Sequence, residues 1–224
     1  MTDRRRAVLF DLDGTLIDTI ELLLTSVRHA FRDRTDRVPT TEEWVAGIGT
    51  PLASQLRPWA ADDAELAALT DSYRSFQLVH HDRLTRCYDD ALATVRTLHE
   101  RGHPMAVVTS KPDELAQRSV AYVGLAPYLP VIVGVNSTAR NKPHPEPVLF
   151  ALERLGVPAA SAVFVGDSPH DIAAGNAAGV TTIAALWGPF SHATLAAAAP
   201  DHFLDRIGDL PELLDRIPIA ASPQ

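Results

Sequence analysis

The sequence is poor in cysteine and in lysine, and it has no long apolar run. Its single cysteine, Cys87, excludes an intrachain disulfide and fits the reducing cytoplasm. No apolar stretch approaches the ~20 residues that a membrane-spanning helix needs. The apolar stretch behind Arg4 to Arg6 is too short for the core of a secretion signal. We therefore expect a cytoplasmic protein with no membrane partner.

An excess of basic charge is also missing. Acidic residues number 28 and Lys plus Arg number 20, which gives a formal net charge of −8. Nucleic acids and anionic membrane surfaces bind basic faces, so we expect neither as a partner. An anionic small molecule is compatible with this charge, because a bound metal and one lysine can reverse the local field. The oligomeric state stays open between monomer and homodimer.

Lysine occurs at two positions only, Lys111 and Lys142, and each precedes a proline. An arginine-biased coding background accounts for the scarcity. Lysine is nevertheless a compact point charge, whereas arginine is a broad planar fork. The two lysines therefore indicate places where an ammonium is needed.

An acidic pair follows the first apolar stretch of the chain. Ala7 to Phe10 is typical of a short buried strand, and Asp11 and Asp13 follow it, before Gly14. Side chains two residues apart on a strand point the same way, so the carboxylates need a cation or a shared proton between them. Carboxylate and carbonyl oxygens suit Mg²⁺. A helix cap or an Asx turn is the alternative for either aspartate alone.

Apolar residues at helical spacing fill the chain from about residue 17 to residue 86. They predict helices at about 19–34, after residue 39 and at about 62–80. A turn at Gly47–Pro51 interrupts them. We expect this segment to form a small all-helical unit.

From Tyr88 onward, predicted strands alternate with predicted helices. The predicted strands are Met105–Thr109, Val131–Val135, Ala162–Val165 and Thr181–Ala185. Such alternation predicts a parallel sheet with helices on both faces, to which the first strand also belongs. We therefore predict an α/β fold with a Rossmann-like core domain, residues 1–16 and 87–224, and an inserted all-helical cap domain, residues 17–86. The tail from Pro218 to Gln224 is predicted to be frayed.

Polar residues follow four of the predicted strands, at the edge where such sheets bind ligands. Besides the first acidic pair, these residues are Thr109, Ser110, Lys142, Asp167 and Asp171. Each has an alternative when taken alone, namely helix capping for Thr109 and Asp167 and a solvated surface for Lys142. Together they predict one site that combines carboxylates, hydroxyls and an ammonium.

On these residues the chain resembles the haloacid dehalogenase superfamily of phosphotransferases. The four motifs of that family appear in order as Asp11-Leu12-Asp13-Gly14-Thr15, Thr109, Lys142 and Gly166-Asp167-Ser168-Pro169-His170-Asp171. The helical insertion lies where the family has its cap. The resemblance implies a Mg²⁺-dependent phosphatase that hydrolyses a small phosphorylated metabolite through an aspartyl-phosphate.

The resemblance also implies a role for each residue. Asp11 is the implied nucleophile and Asp13 the implied general acid and base. Lys142 and Thr109 are also implied to be catalytic, with Lys142 neutralising the nucleophile and the phosphate. The implied phosphate-binding residues are Thr109, Ser110, Lys142 and Gly14. The implied Mg²⁺ ligands are Asp11, the Asp13 carbonyl and Asp167. Asp171 is implied to hold Lys142 or a water on the metal.

Other reactions of the superfamily fit the residues less well. Dehalogenases keep the nucleophile but neither the second aspartate nor the metal, so Asp13 and Asp167 disfavour dehalogenation. Phosphonoacetaldehyde hydrolysis needs a cap lysine, which residues 17–86 lack. Thr15 stands where the mutases have a branched apolar residue, which favours hydrolysis. A binding protein without catalysis is the alternative from another class.

Two branches of the superfamily compete for the substrate. The features that resemble phosphoglycolate phosphatases are Gly49-Thr50-Pro51-Leu52, Asn141–Pro147 and Leu186-Trp187-Gly188. Those that resemble bacterial pyrophosphatases are Tyr73-Arg74, His80-His81-Asp82, Tyr88-Asp89 and His170. We expect a phosphoglycolate phosphatase-like enzyme, with an inorganic pyrophosphatase or a sugar-phosphate phosphatase or mutase as alternatives. Arg57 and Arg74 in the cap are either substrate contacts or surface charges.

Overall fold

The structure, a computed structural model, describes residues 5–218. Apart from Pro218, the tail predicted to be frayed lies outside the described residues. The strands are β1 (Ala7–Phe10), β2 (Ile17–Asp18), β3 (Arg86–Cys87), β4 (Met105–Val108), β5 (Val131–Val133), β6 (Ala162–Gly166), β7 (Thr181–Ala185) and β8 (His202–Leu204). The α-helices are α1 (Ile20–Ala30), α2 (Thr41–Gly47), α3 (Leu52–Leu56), α4 (Asp63–His80), α5 (Ala91–Glu100), α6 (Asp113–Tyr122), α7 (Glu146–Leu155), α8 (Pro169–Ala178), α9 (His192–Ala197) and α10 (Leu210–Arg216).

Six of these strands form one sheet in which all neighbours run parallel. The strand order is β5-β4-β1-β6-β7-β8, so β1 lies inside the sheet between β4 and β6. Val8 of β1 lies opposite Met105 on one side and Val163 on the other. The parallel α/β fold predicted from the sequence is confirmed.

Strand β1 is apolar throughout because helices cover both faces of the sheet. Val8 and Phe10 pack in one cluster with Leu98 of α5 and residues of α10. Ala7 and Leu9 pack in the opposite cluster, with residues of α7 and α8. This double burial explains why the sequence shows a continuous apolar stretch here instead of alternation.

Helices α1 to α4 surround an apolar core of their own. Its buried members include Phe31, Trp44, Leu56, Leu69 and Tyr73. Strands β2 and β3 form a separate antiparallel ribbon where the chain passes between the sheet and these helices, with Ile17 opposite Cys87. The boundaries of the cap domain at residues 17–86 stay a prediction.

The structure differs from the sequence-based expectation in its shortest elements. The sequence patterns do not predict β8, α3 or the β2–β3 ribbon, because two to five residues carry little periodicity. Helix α1 ends at Ala30 and not near residue 34, since the chain tightens there and Arg34 N–H donates to the carbonyl of Phe31. Strands β4 and β5 end before their predicted limits, at Val108 and Val133.

Helix α5 offers a matched test of this packing. Leu98 is fully buried against the sheet, whereas Leu92 on the same helix is 42% exposed. We expect Leu98→Ala to lower the free energy of unfolding by about 2–5 kcal/mol, because it removes buried contacts and leaves a cavity. Leu92→Ala should change it by no more than about 0.5 kcal/mol. Urea unfolding followed by circular dichroism measures both, and equal losses would contradict the assignment of the buried face.

Candidate active site

The carboxyl ends of three adjacent strands bring the predicted site residues together. Asp11 follows β1, Thr109 follows β4 and Asp167 follows β6. Parallel strands end at the same edge of a sheet, so these three side chains meet although they are far apart in the chain. Each of the three residues is no more than 4% exposed.

Lys142 links two of the predicted carboxylates. Its Nζ lies 2.7 Å from Oδ1 of Asp11 and 2.5 Å from Oδ1 of Asp171, and it also donates to the Val108 carbonyl at 3.2 Å. Burial lowers the pKa of a lysine, but the two carboxylates outweigh this and raise the pKa of Lys142 above its ordinary value. Lys142 is therefore a fixed positive charge in the site.

Asp171 is held in place by the start of helix α8. Ser168 caps this helix, and Oδ2 of Asp171 accepts hydrogen bonds from the Ser168 N–H at 3.0 Å and the Ser168 hydroxyl at 2.6 Å. This capping box leaves Oδ1 of Asp171 for Lys142. Gly166 permits the close approach, because a Cβ there would lie 2.3 Å from the Asp171 Cβ.

Only one of the two carboxylate oxygens of Asp167 accepts a hydrogen bond within the described residues. Its Oδ1 accepts a hydrogen bond from the Thr15 hydroxyl at 2.7 Å, and the indole N–H of Trp187 donates to the Thr15 carbonyl. Its Oδ2 is buried and has no hydrogen-bond partner within residues 5–218. Gly14, at φ +90°, lines this oxygen, and a Cβ there would lie 2.4 Å from it.

Burial and crowding raise the pKa values of two of the carboxylates. Burial raises the pKa of Asp11 to about 7; the Lys142 charge opposes this shift, and the Asp171 charge adds to it. Burial, followed by the charges of Asp11 and Asp171, raises the pKa of Asp167 well above its usual range. One ammonium is therefore too little positive charge for the three carboxylates.

These residues fit a hard divalent cation. Asp11, Asp167 and Asp171 each place an oxygen within 4.8 Å of the other two, and all three are buried. Oxygen ligands of this kind, with one buried acceptor still unpaired, are the donors that Mg²⁺ binds. The Asp13 side chain lies outside this group, and its predicted role as a ligand through its carbonyl stays a prediction.

Asp13 is paired with the other lysine of the chain. Its Oδ1 accepts from Nζ of Lys111 and from the Thr19 hydroxyl, each at 2.5 Å. The Lys111 side chain is 2% exposed, and the backbone N–H of Lys111 donates to the Thr109 hydroxyl oxygen at 3.2 Å. The motifs do not include Lys111 as a site residue, and the scarcity of lysine is the one sequence signal that marked this position.

One turn of the cap segment, Gly47–Pro51, contacts residues that follow the strands. The Ser110 hydroxyl donates to the Gly49 carbonyl at 2.6 Å, while Gly49 itself has φ +97°. A Cβ on Gly49 would lie 2.6 Å from the Ser168 hydroxyl oxygen. The Gly47–Pro51 turn therefore lies directly against the residues that follow β4 and β6.

A cavity of about 260 Å³ lies between this turn, helix α4 and the carboxyl ends of the strands. The sheet edge contributes Asp11, Asp13, Thr109 and Lys111 to its wall. The helical segment contributes Trp44, Tyr73, Arg74 and Gln77. The cavity has the size of a small molecule and opens on the predicted nucleophile.

The structure separates the remaining candidates in the cap segment. Arg57 pairs with Asp63 at 2.5 Å and does not line the cavity, whereas Arg74 does. The ring of His80 packs against Phe76 at a tilt of 47°. The buried His81 lies between Asp82 and Ser119, and neither histidine lines the cavity.

His170 and Cys87 also lie apart from the cavity wall. His170 lies beside the cap turn, where a Cβ on Gly49 would lie 3.4 Å from its Cδ2. Burial lowers the pKa of His170, so its ring favours the neutral form. Cys87 is half-buried against the core, where burial raises the pKa of its thiol.

A family model described as "haloacid dehalogenase-like hydrolase" matches residues 8–185. The chain belongs to this family. It is 37% identical to pyrophosphatase PpaX of Bacillus pumilus, over 91% of this chain and 93% of that protein. It is 35% identical to pyrophosphatase PpaX of Bacillus cereus, over 96% of this chain and 98% of that protein.

A solved structure shares the fold of this hydrolase. The protein, from Haemophilus somnus, is described as a predicted phosphoglycolate phosphatase, and it superposes with a TM-score of 0.85 at 24% identity over 95% of this chain and 99% of that one. Of the helices within residues 5–218, none combines the length and apolar character needed to cross a membrane.

The acidic cluster predicts how metal binding depends on pH. Because the pKa values of Asp11 and Asp167 are raised, the folded protein retains protons that the unfolded chain loses, and metal-free stability falls as pH rises from about 4 towards 7. Mg²⁺ needs the deprotonated carboxylates. We expect Mg²⁺ to raise the Tm more at pH 8 than at pH 5.5, as measured by differential scanning calorimetry.

Asp167→Asn is the matched variant for that measurement. It removes one of the crowded charges, so its metal-free Tm at pH 8 should be no lower than that of the parent protein. The Mg²⁺-dependent rise in Tm should disappear. A variant that keeps the full rise would contradict the assignment of Asp167 to the cation site.

Proposed function

We propose that this hydrolase is a Mg²⁺-dependent phosphatase that cleaves a small phosphorylated compound through an aspartyl-phosphate on Asp11. The observation that carries the proposal is the buried Asp11 carboxylate, fixed by Lys142 through Oδ1 at the floor of a small cavity that Asp13 also lines. Oδ2 of Asp11 has no hydrogen-bond partner within residues 5–218 and is the oxygen proposed to attack phosphorus.

The charges of the site make this attack feasible. A carboxylate approaches a phosphoryl group only when their mutual repulsion is removed. Lys142 is held positive next to Asp11 and is proposed to bind the transferring group together with the Thr109 hydroxyl and the Ser110 N–H. Mg²⁺, when bound by Asp11, Asp167 and the Asp13 carbonyl, would supply further positive charge at the phosphoryl oxygens.

Asp13 is proposed to move the protons. As the bond from phosphorus to the leaving oxygen breaks, protonated Asp13 gives its proton to that oxygen. It then takes a proton from the water that attacks the phosphorus of phosphorylated Asp11. The bond from phosphorus to the Asp11 oxygen breaks, phosphate is released, and the Asp11 carboxylate and protonated Asp13 are restored. Lys111 and Thr19, both bonded to Oδ1 of Asp13, fix the carboxylate in the orientation this transfer needs.

The two aspartates should respond differently to amidation. We expect Asp11→Asn to abolish turnover, because an amide cannot form the acyl-phosphate. Asp13→Asn should lower kcat by about 10²–10⁴-fold and leave phosphate binding largely intact. Initial rates with p-nitrophenyl phosphate, with Mg²⁺ and with a chelator, measure both. Appreciable steady-state activity in a pure Asp11→Asn preparation would contradict the mechanism. Absence of Mg²⁺-dependent cleavage by the wild-type protein would instead favour a binding protein without catalysis.

The substrate has two leading candidates within this proposal. The overall motif pattern supports a phosphoglycolate-like monoester. Inorganic pyrophosphate is the second candidate, supported by the names of relatives that are 35–37% identical over nearly the whole chain.

A substrate panel separates them. We expect kcat/KM for phosphoglycolate or for pyrophosphate to exceed that for sugar phosphates and nucleotides by more than tenfold. Each factor of ten corresponds to ~1.4 kcal/mol of differential transition-state binding. A spread below tenfold across the panel would instead describe a generalist.

A further inference from the structure

Arg74 carries the one charge on the cavity wall, within the described structure, that no opposite charge compensates. The other charged wall residues are Asp11, Asp13 and Lys111. Asp11 is paired with Lys142, and Asp13 with Lys111. Arg74 forms no ion pair and no side-chain hydrogen bond within residues 5–218. Its guanidinium is therefore free to bind an anion.

The helical segment adds a second unpaired donor to the same wall. Trp44 is 2% exposed, and its indole N–H is buried without an acceptor in the described structure. A buried donor left without a partner costs about 1–3 kcal/mol, so a ligand that accepts its hydrogen bond gains that energy back. Tyr73 packs against Trp44, with ring centroids 5.8 Å apart, and sets its position.

The charge of the wall restricts what these donors bind. The helical segment contributes no carboxylate to the cavity, so it presents positive charge and neutral groups only. A volume of about 260 Å³ lies below the roughly 300–1,000 Å³ of pockets for drug-sized ligands. A small anionic group fits this space and this charge better than a neutral polyol or a nucleoside.

We propose that Arg74 and the indole N–H of Trp44 form an anion subsite for the leaving part of the substrate. The substrate then carries two anionic groups: the phosphoryl group transferred at Asp11, and a carboxylate or second phosphate bound by Arg74. A guanidinium matches the oxygens of either group in a bidentate way, which lysine cannot do. This inference rests on the proposed phosphatase function and narrows its substrate class.

The experiment compares substrates with and without a charged leaving part. Pyrophosphate and phosphoglycolate carry one, and p-nitrophenyl phosphate does not. We expect Arg74→Gln to lower kcat/KM at least tenfold for the better of the two charged substrates and less than threefold for p-nitrophenyl phosphate. Trp44→Phe, which keeps an aromatic ring but lacks the N–H, should also lower kcat/KM for the charged substrate more than for p-nitrophenyl phosphate. The charged substrate whose kcat/KM falls more identifies the anionic group that the subsite binds.

Arg57→Gln is the matched control, because Arg57 is a cap arginine outside the cavity wall. It should change every kcat/KM less than twofold. Equal losses for charged and uncharged substrates in Arg74→Gln, or no loss for either, would overturn the subsite. Raising the salt concentration should shrink the effect of Arg74→Gln, since exposed charges are screened.

A binding measurement keeps the subsite separate from the proposed reaction. In the Asp11→Asn background, calorimetry with pyrophosphate and with phosphoglycolate should give a Kd at least tenfold weaker when Arg74→Gln is added. If the wild-type protein hydrolyses none of the three substrates, the proposed function fails, and this Kd still decides the subsite. An unchanged Kd for both ligands would overturn it.

Discussion

Lys142 holds together a group of charges that would not otherwise stay buried. Its ammonium lies between Asp11 and Asp171, and the unpaired oxygen of Asp167 adds a third negative group within a few ångströms. Neighbouring hydrogen bonds hold these carboxylates in position: the capping box of α8 orients Asp171, and the Thr15 hydroxyl orients Asp167. The excess negative charge that remains makes the site ready for a divalent cation and costs stability without one.

The three positive groups of the site have different partners. Lys142 pairs with Asp11, the proposed nucleophile, and Lys111 pairs with Asp13, the proposed proton donor. Arg74 lines the cavity at the proposed anion subsite. This division also fits the positions of the two lysines, Lys111 and Lys142. Both lie buried among tight ion pairs, where a compact ammonium fits and a guanidinium does not, while arginine occupies the more open wall.

Most of the fold and the acidic centre could be predicted from the sequence, because polar motif residues follow four of the five predicted strands. The parts that were missed depend on contacts across elements. Lys111 reaches Asp13 only when β1 and β4 are adjacent, a pairing that spacing along the chain does not reveal. The difference between Arg57 and Arg74 depends on which way each side chain faces once the helices pack. Strand β8 and the β2–β3 ribbon are too short to leave a periodic pattern.

The ribbon of β2 and β3 has a consequence for how such proteins diversify. Because Ile17 pairs with Cys87, the two ends of the helical segment are hydrogen-bonded neighbours, and their separation does not depend on what lies between them. The segment can therefore change in length, helix number or wall composition while the sheet and its acidic centre keep their geometry. New substrates can arise by exchanging one continuous piece of chain, with the chemistry inherited unaltered.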